Sequence, residues 1–277
     1  MTTAPLFEIG DAVVARPVRR VAPVAVEASG DNVTGVAGIA LFGELLDRLG
    51  LVEVADRRNL RPVGPGGYSG GECYGPLVEL QLAGGDFLSD ASLLGDEATR
   101  QLRGNHALPS RTTLFRFLAG ADLGRAKRAQ ATNADLLRRA WAMGAAPAPG
   151  RLSIDPDATY VDTYGKHKEG SRFSCQGEVQ MSPLVGVAGE TGDVLAIRAR
   201  GGNASPRRKL ASFIDECVAA TPAEALGHHE LWIRIDSAGF SKNVADVCVK
   251  HQATFSGSTR PTGVSVLASS WRGAHSI

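Results

Sequence analysis

Long apolar runs are absent from this sequence, and so are closely spaced cysteines. No uninterrupted apolar stretch of about 18 residues occurs, so a membrane-spanning helix is not expected. The N-terminal segment also lacks the continuous apolar core of a secretory signal. The cysteines form no C-x-x-C pair, which favours free, buried thiols in a reducing cytoplasm. They lie far apart in the chain, at Cys73, Cys175, Cys217 and Cys248.

A large net charge is also missing, because 30 basic and 29 acidic residues give a formal net charge of +1. The total therefore gives no argument for a polyanionic partner. The distribution along the chain is uneven: residues 41–99 contain ten acidic residues and four arginines, a net of −6. Residues 100–140 contain nine basic and two acidic residues, a net of +7. Such a basic block can mark a nucleic-acid site, and it can equally be the solvated face of an arginine-rich pair of helices.

The first half of the chain is predicted to be an extended lead over residues 1–32, followed by a helical region over residues 33–145. Apolar residues at helical spacing predict a first helix that ends near Gly50. The glycines between Gly64 and Pro76 predict a turn with closely packed backbone. Because the G-K-[ST] ending of a P-loop is missing there, a phosphate cradle is not expected.

The segment LPSRTTLFRFLAG predicts a helix that begins after Ser110, a favourable N-cap residue. Helical spacing gives it an inward face of three apolar residues, Leu114, Phe115 and Leu118. The residues left outside are Arg111, Thr112 and Arg116. A DNA-reading helix would present such residues, and so would many amphipathic helices.

Beyond the proline-containing segment 145–150 the pattern changes from helical spacing to strand alternation. Three strands, a helix, a strand and a second helix are predicted in that order. The first of these helices is expected to begin after Ser205, with Pro206 in its first position. Several mixed α/β folds share this order of elements, so the order alone does not identify one of them.

Two of the predicted strands carry aspartates near their ends. In IDPDAT, Asp155 and Asp157 are two residues apart and therefore share one strand face. In RIDSAGF, Asp236 ends an apolar strand. If these strands are neighbours, the carboxylates can converge on one ion, and Mg²⁺ prefers oxygen ligands of this kind. An aspartate at a strand end is also a common turn former, and that interpretation stays open.

The motifs DATYVDTYGKHKEG, PLVGVAGETGDVLAIRARGGNAS and WIRIDSAGF resemble the DDE transposases of bacterial insertion sequences, in the branch usually called thirteen-eighty. The segments GIALFGELLDRLGL and LPSRTTLFRFL are similar to the N-terminal region of the same family. The resemblance implies an RNase H-like catalytic domain that cuts and rejoins DNA at terminal inverted repeats with two Mg²⁺ ions. It also implies a nucleoid-associated protein of the bacterial cytoplasm, which can form a homodimer.

The resemblance assigns site residues as well. The first catalytic aspartate of the family lies in a D-x-T setting, which Asp157 matches, with Asp155 as the alternative. Asp236 matches the second catalytic aspartate, so Asp157 and Asp236 are the expected metal ligands. With a DNA substrate implied, a second basic cluster is expected either to contact phosphates or to be a solvated surface. Beside Arg198 and Arg200, this cluster contains the candidate DNA contacts Arg207, Arg208 and Lys209.

The family also has a catalytic glutamate on a later helix, whereas no acidic residue follows Asp246 in this sequence. We therefore expect an α/β chain with a mainly helical N-terminal region and an incomplete RNase H-like core over residues 151–256. Residues 257–277 are expected to be an out-of-family tail produced by a truncation or frameshift. Strand transfer would then be lost. The alternatives are a non-catalytic DNA-binding fragment that competes with the intact transposase, and a pseudogene product.

Overall fold

The computed structural model describes residues 34–58, 67–103, 108–164, 168–258 and 265–268. The chain divides after Met143 into two compact units, one helical and one built on β-sheets. The predicted α/β class is confirmed. The extended lead predicted for residues 1–32 lies outside the described residues, as does most of the predicted tail. In the described parts of the chain, no helix is long and apolar enough to cross a membrane.

The helical unit is a succession of helices. In chain order these are α1 Ile39–Leu49, α2 Leu51–Arg57, α3 Gly70–Leu82, a 3₁₀ helix Leu88–Leu94, α4 Glu97–Leu102, α5 Arg111–Ala119 and α6 Leu123–Ala140. Gly50 ends α1 in the left-handed region, at φ 68°, which a glycine adopts without strain. The predicted first helix therefore ends where the sequence indicated.

Helix α3 begins inside the segment that was predicted to be a loop. Ser69 caps it by accepting a hydrogen bond from the Glu72 N–H at 3.1 Å, and the Glu72 carboxylate accepts one from the Ser69 N–H at 2.8 Å. The loop prediction is therefore wrong for residues 70–76. Close backbone packing does occur, because a Cβ on Gly71 would lie 2.4 Å from the Val52 carbonyl oxygen of α2. Only glycine lets the two helices approach this closely.

Helix α5 begins after Ser110 as predicted, and the Ser110 side chain caps it. The predicted inward face is partly wrong. Leu114 and Phe117 are buried, in a cluster with residues of α2, α3 and the 3₁₀ helix. Phe115 is 60% exposed and Leu118 is 45% exposed. Spacing alone indicated an apolar stripe, but the packing partners decide which part of the stripe is buried.

The second unit contains two sheets. Its elements are β1 Gly150–Ala158, β2 Val161–Asp162, β3 Arg172–Phe173, β4 Val179–Met181, β5 Leu184–Ala188, β6 Val194–Arg198, α7 Leu210–Ala220, α8 Ala223–His228, β7 His229–Ile235, α9 Lys242–Lys250, β8 Thr254–Ser258 and β9 Ser265–Ala268. The large sheet has the order β6-β5-β1-β7-β8-β9, and the small one has the order β2-β4-β3. Strand β1 is antiparallel to β5 and parallel to β7, and β7 is parallel to β8.

Several regions of this unit differ from the prediction. The helix expected after Ser205 begins only at Leu210. The guanidinium group of Arg200 donates hydrogen bonds to the Ser205 and Arg208 carbonyls, both at 3.0 Å, which holds the intervening residues in turns. The strands β2, β3 and β4, the short helix α8 and strand β9 were not predicted. Strand β9 lies in the predicted tail and pairs antiparallel with β8.

One face of the large sheet is covered by helices α7 and α9. Leu152 and Ile154 of β1 and Ile233 of β7 are fully buried on that side. Because strand side chains alternate, Ser153, Asp155 and the residues that follow them at every second position belong to the opposite face. The candidate aspartates therefore lie on the sheet face that does not pack against α7.

Candidate active site

The carboxyl ends of β1 and β7 carry the predicted catalytic aspartates. The last backbone pair of this parallel ladder joins Ile154 to Ile233. Continuing the register by three residues on each strand brings Asp157 opposite Asp236. Both side chains are exposed. The two aspartates thus end neighbouring parallel strands at the same edge of the sheet.

Each of these aspartates also shapes its own backbone. Asp236 Oδ1 accepts a hydrogen bond from the Gly239 N–H at 2.7 Å, which closes a turn after β7. A Cβ on Gly239 would lie 2.9 Å from that oxygen and 2.8 Å from the Leu210 side chain, so a larger residue there would displace both side chains. Asp157 Oδ1 accepts from the Ala158 N–H at 2.7 Å. In both aspartates only Oδ1 is hydrogen-bonded within the described residues. Each aspartate therefore bonds its own backbone, as a turn former would, and still has Oδ2 available for another ligand.

Asp155, the alternative to Asp157, has a different environment. Its carboxylate forms a bidentate ion pair with Arg234, in which Nε donates to Oδ1 and Nη2 donates to Oδ2. The Asp155 carboxylate is the main cause of a raised pKa of the Arg234 guanidinium. Asp155 is therefore paired across the two strands with Arg234 of β7, which lies two residues before Asp236.

A second polar contact lies deeper on the same face. The Glu190 carboxylate accepts hydrogen bonds from the N–H and from the hydroxyl of Ser153, each at 2.7 Å. Burial opposes ionisation of Glu190, but the Ser153 hydrogen bonds outweigh it and lower the pKa of this carboxyl group. Arg151 lies 3.5 Å from Glu190 Oε1, and its guanidinium stacks over the Trp232 ring at 5.5 Å. Sequence reasoning did not single out Glu190, Ser153 or Arg234, because their pairing depends on which strands are neighbours.

The donor atoms of Asp157 and Asp236 suit Mg²⁺ in kind. This ion takes carboxylate oxygens and completes its coordination with water and substrate phosphate. Among the described residues, no group of three or more His, Cys, Asp or Glu side chains could hold a metal ion. The two aspartates are therefore the donor set that this part of the chain offers at the sheet edge.

Most of the basic block at residues 100–140 is bonded within the protein. Five of its arginines bind carboxylates or backbone carbonyls, namely Arg100 to Glu97, Arg103 to Glu79, Arg125 to the Phe117 carbonyl, Arg138 to Asp135 and Arg139 to the Leu49 carbonyl. The charge count of +7 therefore overstates what this block offers to a ligand. Its other basic residues, Arg111, Arg116, Lys127 and Arg128, are all exposed.

The predicted DNA contacts of α5 lie on one surface. Arg111, Thr112 and Arg116 are exposed, and they share the outer side of the helix with Phe115 and Leu118. This surface combines positive charge with apolar side chains. Such a combination suits a nucleic-acid backbone and the adjoining sugars.

The second predicted basic cluster separates into two parts. Arg198 and Arg200 are bonded internally, to Glu216 and to several backbone carbonyls respectively. Arg207, Arg208 and Lys209 are exposed. The Arg207 Nε donates a hydrogen bond to the Ala238 carbonyl at 3.0 Å. That contact brings the loop before α7 beside the turn that Asp236 closes.

Comparison with known families gives one clear result. The family described as Transposase DDE domain group 1 matches residues 16–262, which is most of the chain. The chain belongs to this family of DDE transposases, as the sequence motifs predicted. No curated protein and no solved structure matches it.

Proposed function

We propose that this chain is the transposase of a bacterial insertion sequence of the thirteen-eighty branch. It would act at the nucleoid, on double-stranded DNA at the terminal inverted repeats of its element. The observation that carries the proposal is the register of β1 and β7, which brings Asp157 and Asp236 to one edge of the sheet in a DDE family member. The strand order β6-β5-β1-β7-β8 supports an RNase H-like core, because that core has two antiparallel pairings followed by two parallel ones.

Asp157 is the better candidate for the first catalytic carboxylate. The alternative, Asp155, has both oxygens engaged by Arg234. A metal ion would have to displace a bidentate, charge-assisted pair to use Asp155, and such pairs are among the stronger hydrogen-bonded contacts in proteins. Asp157 and Asp236 each keep an oxygen that makes no hydrogen bond within the described residues. We therefore assign Asp157 and Asp236 as the Mg²⁺ ligands.

The chemistry at this edge would be an in-line displacement at a DNA phosphate. Bound Mg²⁺ would stabilise charge on the phosphate oxygens and on the attacking and leaving oxygens. Asp157 and Asp236 would supply the anionic oxygens that retain the ion. The loop containing Arg207, Arg208 and Lys209 would contact the phosphates on either side of the scissile bond, since Arg207 is tied to the turn of Asp236.

The helical unit would hold the DNA. Helix α5 presents Arg111, Thr112 and Arg116 on an exposed surface, so these residues would contact the backbone or the groove of the terminal repeat. Phosphate contacts of this kind position a duplex, and base contacts then specify its sequence. The proposal predicts that removing the α5 arginines weakens DNA binding without affecting metal binding.

The 277-residue chain is proposed to bind DNA without completing strand transfer. No acidic residue follows Asp246, and the described residues provide no third ligand beside the two aspartates. The same observation favours a second candidate function. A chain that binds the repeats but cannot join DNA would compete with an intact transposase for the same sites.

The test measures DNA binding and DNA joining side by side. The probes are a duplex that carries the inverted repeats flanking the coding sequence and a shuffled duplex of equal length. We expect tighter binding to the repeats, an affinity that falls steeply with salt, and no joined product with Mg²⁺. Equal affinity for both duplexes with no salt dependence would refute the DNA-binding role. Efficient joining would refute the inferred loss of strand transfer.

A further inference from the structure

The backbone ladder between β1 and β7 ends before it reaches the two aspartates. Its last pair is Ile154 with Ile233, three residues ahead of Asp157 and Asp236. Beyond that pair the ladder continues on the outer side of each strand, from β1 to β5 as far as Ala158 and from β7 to β8 as far as Ile235. Two carboxylates share an ion only if they stay within a few ångströms of each other, so a direct contact between β1 and β7 beyond their last backbone pair would fix that separation.

The next register position beyond the ladder is occupied by Asp155 and Arg234. Two parallel hydrogen bonds join their side chains across the strands. We infer that this ion pair, the 155–234 clasp, is a positioning contact that holds the ends of β1 and β7 side by side and so sets the separation of Asp157 and Asp236. The inference rests on the proposed function, because it assigns the clasp to the metal-binding edge.

The surroundings of the clasp match this role. A Cβ on Gly189 would lie 2.5 Å from Arg234 Nη2 and 3.1 Å from Asp155 Oδ2. The missing side chain of Gly189 therefore leaves the space that the guanidinium occupies. Gly189 is itself held to β1, because its N–H donates to the Ser153 carbonyl at 2.8 Å. The backbone of the turn between β5 and β6 thus confines the clasp from one side.

An arginine suits this position better than a lysine would. A planar guanidinium binds both oxygens of a carboxylate at once and fixes its direction, whereas an ammonium group is a point charge on a flexible stem. The pair is also neutral as a whole. Asp155 consequently adds no uncompensated negative charge next to Asp157 and Asp236, two residues further along the strands.

The first test measures the separation of the strand ends without metal. Asp157→Cys and Asp236→Cys are introduced together with Cys175→Ser, since Cys175 is the exposed cysteine and Cys73, Cys217 and Cys248 are buried. A disulfide forms only when the two Cα atoms are within about 7 Å. We expect rapid closure in this background and slower closure when Asp155→Asn and Arg234→Met are added, because the two strand ends then lose their direct contact.

The second test measures Mn²⁺ affinity of the otherwise natural chain by calorimetry, with the melting temperature recorded for each variant. The double change Asp155→Asn with Arg234→Met keeps the net charge, so a loss of affinity reports on geometry. We expect the dissociation constant to rise about tenfold. Arg234→Lys keeps the charge but loses the two-pronged contact, and it should also bind more weakly than the parent chain.

Arg151→Met is the matched control, because Arg151 is 57% exposed on the same sheet face and Arg234 is 50% exposed. It should change neither the closure rate nor the Mn²⁺ affinity. Unchanged closure in the Asp155→Asn, Arg234→Met background would overturn the clasp. If the Asp157→Cys, Asp236→Cys, Cys175→Ser background closes rapidly and is slowed only by the clasp changes, but the parent chain binds no Mn²⁺, the clasp stands and the proposed metal site fails.

Discussion

Arg111 and Arg116 allow the sharpest perturbation of the proposed DNA-binding surface, because both are exposed on α5 and lie away from its packed side. Replacing both with alanine removes two positive charges without touching the buried Leu114 and Phe117. Helix propensity favours alanine, so α5 should remain folded. The change therefore isolates the electrostatic contribution of this surface.

The magnitude follows from the exposed charges. Each phosphate contact contributes about −0.9 to the slope of log affinity against log salt. If all nine basic residues of the block made contacts, the slope would be about −8. The four exposed ones whose side chains form no hydrogen bond or ion pair within the described residues, Arg111, Arg116, Lys127 and Arg128, give about −3.6 at most. Removing two of them should reduce the slope by about 1.8, so the loss of affinity between about 50 and 200 mM salt becomes roughly tenfold smaller.

Fluorescence anisotropy with a labelled duplex over a salt series measures this slope. Arg138→Ala is the control, since Arg138 belongs to the same basic block but binds Asp135 at 2.7 Å. Its slope should match that of the parent chain. The reasoning is refuted if the Arg111→Ala, Arg116→Ala variant keeps the parent slope, or if Arg138→Ala lowers the slope as much.

Two further predictions concern stability. Glu190→Ala should lower the free energy of unfolding at neutral pH by about 1–3 kcal/mol, because it leaves the buried N–H and hydroxyl of Ser153 without their acceptor. Since the folded pKa of Glu190 lies below its ordinary 4.5, this stabilisation is present above pH 4.5 and is lost as the pH falls through the folded pKa. Urea unfolding at several pH values should therefore give unfolding free energies for the parent chain and the variant that converge in acid. A difference that stays constant with pH would contradict the assignment. Gly71→Ala should destabilise the helical unit by about 1–3 kcal/mol, because its Cβ would meet the Val52 carbonyl at 2.4 Å. Gly43→Ala is the control, with nothing within 4 Å of the added Cβ, and a similar loss in thermal melts of both variants would show that close approach is not the cause.

The sequence was informative wherever a local pattern decides the structure. Ser110 and Gly50 mark helix ends through capping and left-handed backbone, and both effects act within a few residues. The switch from helical to strand periodicity near residue 150 was visible for the same reason. Strand patterns singled out Asp155, Asp157 and Asp236, and the resemblance to the transposases favoured Asp157 over Asp155. The juxtaposition of Asp157 and Asp236 required the order of strands.

What the sequence could not predict depends on contacts between distant residues. The exposure of Phe115 follows from how α5 packs, and no spacing rule contains that information. The sequence count includes Arg103 as an available positive charge, whereas in the structure it forms an ion pair with Glu79. Arg234 likewise attracted no attention, because its partner is 79 residues earlier in the chain. Local motifs thus indicated where the chemistry would lie, and the tertiary pairing determined which charges are available for it.

The central claim is that Asp157 and Asp236 together hold a divalent metal ion at the ends of β1 and β7. Calorimetric titration with Mn²⁺ tests it most directly, because this ion accepts the same oxygen ligands as Mg²⁺. The comparison uses Asp157→Asn, Asp236→Asn and, as a control, Asp246→Asn, which alters an exposed carboxylate on α9. We predict that either of the first two changes abolishes the binding seen in the parent chain and that the third leaves it intact. Equal Mn²⁺ binding by the parent chain and all three variants would contradict the account.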